Sequence, residues 1–353
     1  MPSENVDGSE NVDGSENADG TETLTDPPRV TTIGAAAVDE WYAVSNLPEP
    51  DGGAYASEVE TAPGGVGANV AVGLDRLGRD VGLVSRVGDD EYGRLARSWL
   101  AETGVDGSRI EVGDDPTTRS VILSAPDGER AIVTAGESVR ELRLDSATLE
   151  SVVGSEVVFL TAYAPDRVAR SVLDRVLDAP EADRPALVFD LSGPVTELAG
   201  RGTEPETVHG YLHHADLFVA GGVAAPAYFG GREAAVDRLA AVRTPSVGPA
   251  VLTHGADGMT VIADGETTRV DAFEVDVVDT TGAGDAFLAG LIDRWLLTER
   301  DSAEERSDEA LVDAVRFAAA VAAINCTERF TQTGLPTREE VRAFLAERGV
   351  DLR

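Results

Sequence analysis

The sequence predicts an α/β protein: a doubly wound, mostly parallel sheet with helices on both faces and a small β lid. Three observations predict it. Short apolar, β-prone runs alternate with helical segments through residues 157–253, the pattern of βαβ units. Glycine-rich turns open helical runs at residues 68 and 285. Two strand-like runs, 119–124 and 130–134, flank Pro126-Asp127-Gly128, a hairpin turn that breaks the alternation.

The elements follow in order. Residues 3–8 read SENVDG, residues 9–14 repeat it, and residues 15–20 read SENADG. This segment holds too little apolar surface to offset its ordering entropy, so residues 1–28 are expected to be a disordered acidic tail. One domain is expected over 29–353. Within it, 30–37 reads as a buried first strand, 68–77 as a helix, 81–87 as a strand and 91–103 as a helix. Lid strands are expected from about 40–62 and 119–135. Further strands fall at 157–160, 186–190, 216–219 and 250–253, where ligands of such folds bind at the carboxyl ends. A strand-like run at 273–278 leads into the second glycine turn. Helices are expected over 285–298, 308–325 and 337–348, and the acidic run 299–309 reads as a solvated loop.

The chain has 353 residues, 42% of them hydrophobic, enough for a large core. Its net charge is -35, and its 29 basic residues are all arginine. Such a surface repels itself until molar salt shrinks the Debye length to about 3 Å. The composition resembles that of haloarchaeal proteins and predicts a very salty cytoplasm. It argues against nucleic-acid and anionic-membrane partners. The single cysteine, Cys326, allows no internal disulfide and is expected to be a buried, inert thiol. No apolar stretch approaches 18 residues and the N-terminus is acidic, so a cytoplasmic location is expected.

The most informative stretch is Val278-Asp279-Thr280-Thr281-Gly282-Ala283-Gly284-Asp285-Ala286-Phe287. Small residues let backbone N–H groups approach an anion, and a helix N-terminus adds a positive dipole end. Asp285 stands beside this cradle, where a carboxylate can take a proton from an attacking hydroxyl. An ordinary strand-to-helix turn with Asp285 as cap fits the same four residues 282–285.

The longer string VVDTTGAGDAFLAGL (277–291) resembles the C-terminal signature of the ribokinase-like, phosphofructokinase-B-type carbohydrate and nucleoside kinases. PGGVGANVAVGLDRLG (63–78) resembles that family's N-terminal signature. Residues 87–93, 253–258 and 334–337 resemble three further family segments, all in family order. The resemblance implies ATP-dependent phosphoryl transfer to a hydroxyl of a sugar or sugar acid. It implies Asp285 as general base and an anion hole at Gly282, Ala283 and Gly284. It places the substrate at Asp39, Gly64, Gly65 and Asn69, with Tyr163 as a further contact, and the nucleotide at Thr253, Gly255, Gly258 and Thr281. Asp279 and Thr281 match positions that ligate a monovalent cation such as K+; a loop-tying structural role fits Asp279 equally. Arg119 and Arg130 flank the expected lid hairpin and can reach an anionic substrate or pair with surface acids.

The sequence departs from the family in four places. Residues 220–224 read Ala-Gly-Gly-Val-Ala where many members carry Asn-x-x-Glu, which helps organise magnesium. Ala319 stands for an adenine-side asparagine, Phe330 for a glycine, and Val66 for the lysine of ribokinases proper. These leave Mg2+ riding mainly on ATP and water. A nucleoside or sugar phosphate such as ribose 1-phosphate is the alternative acceptor, and a non-catalytic sugar- or nucleotide-binding protein the alternative of another class. An exposed lid edge also suggests a homodimer.

Overall fold

The computed structural model describes residues 27–244, 247–298 and 307–352. The repeat tail through residue 26 and most of the acidic run, 299–306, lie outside the described residues. Thirteen strands are described: β1 (Val30–Ile33), β2 (Ala37–Val44), β3 (Ala56–Gly64), β4 (Val81–Gly88), β5 (Ile110–Gly113), β6 (Arg119–Ser124), β7 (Arg130–Ala135), β8 (Val157–Thr161), β9 (Ala186–Leu191), β10 (Leu217–Gly221), β11 (Ala250–Thr253), β12 (Met259–Ala263) and β13 (Glu266–Val270). Nine form one sheet in the order β13-β12-β11-β10-β9-β8-β1-β4-β5, parallel except where β12 and β13 turn back at one edge. The other four form a separate sheet, β3-β2-β6-β7.

The continuous apolar runs are explained by burial on both faces. Every residue of β1 and β8 is buried, and helices cover the sheet on each side. One core gathers the helices Val66–Arg76, Ala283–Leu291 and Asp308–Asn325. The opposite core gathers Asp166–Asp178 and Pro205–His214 around Phe189, Tyr211 and Phe218.

Several boundaries differ from the sequence reading. The run 30–37 is two elements. β1 ends at Ile33, and Ala37 already begins β2 of the small sheet. Asp39 is therefore a lid-strand residue, paired in register with Ala62 and Ser120. The run 273–278 is no strand: Val278 N–H and Asp279 N–H both donate to the Cys326 carbonyl, and Val277 and Val278 are exposed. Its alternating apolar and acidic residues cross the mouth of a cleft instead of joining a ladder. The helix expected at 285–298 begins at Ala283 and passes into a π turn over Ile292–Leu296. Strands β5, β12 and β13 were not legible, because each is short and β13 is mostly exposed. Cys326 is half-buried at the cleft wall, not sealed in the core; burial and the Asp279 charge push its thiol pKa up.

Candidate active site

The helix Ala283–Leu291 starts at the cleft because Gly282 takes a left-handed conformation, φ 73°. A Cβ there would lie 2.1 Å from the Thr331 side chain, so only glycine permits the turn. The Ala283 amide donates weakly to the Thr280 carbonyl at 3.3 Å, while among the described residues the Gly284 and Asp285 amides have no acceptor in the chain. These are orphan donors at the positive end of a helix, suited to an anion. Asp285 is the third helical residue rather than the cap.

Asn69, buried on the helix Val66–Arg76, donates from Nδ2 to Asp285 Oδ2 at 2.7 Å. Two signatures 216 residues apart in the chain thus meet at one carboxylate. Burial raises the Asp285 pKa to about 7; the Asn69 bond pulls it down, and the Asp190 and Asp39 carboxylates push it up again. Burial likewise lifts Asp39 to about 6 and Asp190 to about 7, with hydrogen bonds from Ser120 and Ser192 opposing. Tyr163 extends from the end of β8 into this acidic group. Burial and the Glu197, Asp190 and Asp285 charges raise its phenol to about 12, so it is a neutral hydrogen-bonding group.

Gly64 closes β3 against Asp39; a Cβ on it would sit 2.3 Å from that carboxyl. Gly64 and Asn69 thus bring the glycine-rich turn to the Asp39 and Asp285 carboxyls. Asp39, Asn69, Tyr163 and Asp285 are therefore brought together as the sequence expected. Asp190 was missed as a site residue. Its sequence signal is weak, since it ends an apolar run like many strand-end acids.

Beyond Asp285 lies a cleft of about 1290 Å³. Thr253 and Gly255 line it beside Ala283, Gly284 and Ala319. Gly258 (φ 84°) only shapes that turn, its missing Cβ leaving room for the Val270 carbonyl. Asp279 accepts from the Thr281 amide at 2.9 Å, the Thr281 hydroxyl at 2.7 Å and the Phe330 amide at 3.2 Å, which makes its loop-tying role visible. From the lid, Arg130 Nη1 donates to Thr281 Oγ1 at 3.0 Å across the cleft mouth. Arg119 is occupied elsewhere: it meets Tyr92 at 2.7 Å and Glu40 at 3.1 Å on the small sheet. The lid arginine that lines the cleft is therefore Arg130, and Arg119 pairs with Glu40.

Phe330 occupies φ 65°, ψ 148°, a conformation that glycine favours. Its ring meets Trp41 of β2 edge-on at 6.4 Å, and the Arg329 guanidinium lies 4.2 Å over the same Trp41 ring. Phe330→Gly and Phe330→Ala both lose this clasp on the lid, but only glycine relieves the backbone. Phe330→Gly is expected to be about 1–2 kcal/mol more stable than Phe330→Ala, read by chemical denaturation; equal stabilities would show that no strain is stored there.

The model of the pfkB family carbohydrate kinases matches residues 28–338. The chain belongs to this family. It is thereby an enzyme, a carbohydrate kinase. Among the curated pfkB-family relatives, an ATP-dependent ribose-1-phosphate kinase of Halopiger xanaduensis is 32% identical over 331 residues, covering 91% of this chain and 99% of the relative. A fructokinase of Escherichia coli is 28% identical, covering 89% and 98%. The solved structure of Arabidopsis thaliana ribokinase complexed with ribose and ATP has a TM-score of 0.73 at 22% identity, covering 90% and 99%, and shares the fold. No helix of the described residues is long and apolar enough to cross a membrane.

Proposed function

We propose that this pfkB-family kinase transfers the γ-phosphoryl group of ATP to a hydroxyl of a sugar, sugar acid or sugar phosphate, with Asp285 as general base. One observation carries the reading: the Asp285 carboxyl, raised to about 7 and held by Asn69 at 2.7 Å, stands where the first free amides of its helix face a large cleft. A base poised near neutral pH combines a usable ionised fraction with a real affinity for the proton.

Bound in the cleft, ATP would supply the γ-phosphoryl group: the acceptor O–P bond forms as the bond to the β-phosphate oxygen breaks, and ADP leaves. Asp285 takes the proton as the acceptor oxygen attacks. The Gly282–Gly284 turn and the Arg130 guanidinium face the charge that develops on the transferring group. Asp39, Asn69 and Tyr163 orient the acceptor by its hydroxyls, and the small sheet excludes water. Among the described residues no group of three His, Cys, Asp or Glu side chains is placed to hold a metal ion, and Mg2+ would be held chiefly on ATP oxygens and water. Lone pairs of Asp279 and the Thr281 hydroxyl would serve K+ beside the anion hole.

Ribose 1-phosphate is the first acceptor to test, supported by the name of the relative at 32% identity. A panel of ribose 1-phosphate, ribose, fructose, 2-keto-3-deoxygluconate and nucleosides, assayed with ATP and Mg2+ in concentrated KCl, is expected to show the greatest turnover on ribose 1-phosphate. Fructose turnover without ribose 1-phosphate turnover would move the substrate to free hexoses; phosphorylation of none would reject the proposed acceptor classes. The salt belongs to the test, because net charge -35 requires screening, as expected of a protein from a salty cytoplasm. Exposed Val59, Ile132 and Val133 on the small sheet support pairing of two lids. Light scattering in the same salt is expected to read twice the chain mass of 36.9 kDa, and the single mass would dismiss the pairing.

A further inference from the structure

Behind Asn69 stands a side chain to which the sequence reading assigned no role. Gln332 lies on the short helix Thr331–Gly334 and donates from Nε2 to Asn69 Oδ1 at 3.0 Å. Asn69 in turn donates to Asp285 at 2.7 Å. The order of donors in this chain is forced by chemistry. An ionised carboxylate only accepts, so the Asn69 NH2 must face Asp285 and its oxygen must face away. That oxygen then needs a donor, and Gln332 supplies one.

We infer that Gln332 is a positioning residue: it locks the orientation of the Asn69 amide so that Asn69 always presents its NH2, never its oxygen, to the Asp285 carboxylate. The inference rests on the reading of Asp285 as base. The segment that carries Gln332 is itself fixed. Asn325 Nδ2 donates to the Thr331 carbonyl at 2.7 Å, and the Thr331 side chain fills the space that Gly282 leaves. Gln332 therefore keeps register with the anion cradle as well as with Asn69. Without it, a half-turn of the Asn69 amide would aim an oxygen at a carboxylate already facing Asp190 from β9, Asp39 from β2 and the Tyr163 phenol. The first turn of the Asn69 helix contains no acid, so the amide orientation is the variable electrostatic contribution from that side.

The sign follows directly. Donation by Asn69 favours the ionised form of Asp285 and lowers its pKa against the effect of burial. Loss of the Gln332 lock weakens that donation, so the pKa rises and less base is available below it. Gln332→Met keeps the volume and removes the donor. Gln332→Glu replaces the donor with an acceptor and pulls the Asn69 NH2 away from Asp285.

The test titrates the full chain, labelled with 15N-asparagine, in concentrated KCl and follows the Asn69 side-chain amide by NMR from pH 5 to 9. The parent is expected to show a transition near the Asp285 pKa of about 7. The midpoint is expected to move up by about half a unit in Gln332→Met and by about one unit in Gln332→Glu. Turnover with ribose 1-phosphate should then fall several-fold to tenfold at pH 6 and stay near parental at pH 9. A purely structural role would lower turnover equally at both pH values. Midpoints unchanged or lowered in both variants overturn the inference. Parental turnover by Asp285→Asn sinks instead the base reading, and the titration judges the Gln332 lock separately.

Discussion

Asp285→Asn is expected to lower kcat by about 10²–10⁴-fold, the usual contribution of a general base, with nucleotide binding retained. The substitution is nearly isosteric, and the asparagine oxygen can still accept from Asn69, so the 2.7 Å contact and the helix start survive. What disappears is the proton acceptor. The parent's pH profile carries the same information. With a pKa raised to about 7, Asp285 is protonated below that value and cannot act. Turnover should rise about tenfold per pH unit below the pKa and level off above it, and Asp285→Asn should show no such limb. An equal kcat in both proteins, measured with saturating ATP and acceptor, would show that the proton leaves by another route.

The second large effect belongs to the lid. Arg130→Gln is expected to lower kcat by about 10²–10³-fold, comparable to removing an oxyanion donor, with a smaller change in the KM of the sugar. The chain carries 64 acidic residues against 29 arginines, yet among the described residues Arg130 holds a hydroxyl and no carboxylate. Arg119, on the neighbouring strand, has Glu40; Arg130 reaches across the cleft mouth to the Thr281 hydroxyl instead. That hydroxyl passes a hydrogen bond to Asp279, which also accepts from the Phe330 amide. The lid cation is thereby registered against the loop that opens the Ala283–Leu291 helix. With no lysine in the chain, Arg130 and Arg348 are the cations among the described residues that line the cleft, and Arg130 is the one that comes from the lid. A parental kcat for Arg130→Gln would assign Arg130 to lid closure alone.

Much of the site was legible because glycine signatures record backbone geometry. Gly282 can be read from sequence because only glycine fits its φ of 73° against Thr331. Gly64 is legible for the same kind of reason, through its approach to Asp39. The hairpin at 119–135 was legible from its Pro-Asp-Gly turn and its alternation, both of which are local. The strand-like run 273–278 misled because its alternation matches a strand while no neighbouring strand accepts it; pairing is a property of the partner as much as of the run. The run 30–37 misled for a related reason, since apolar character does not say which of two sheets a residue joins.

Sequence alone determined the architecture and singled out the candidate anion cradle and Asp285, because each is written in short-range patterns: periodicity, glycine turns and a helix start. Only the tertiary structure decided which groups tune that carboxylate. Asn69 and Asp190 come to Asp285, and Gln332 to Asn69, from different parts of the chain. Hydrogen-bond order, burial and charge repulsion depend on distance in space, which residue spacing along the chain does not encode.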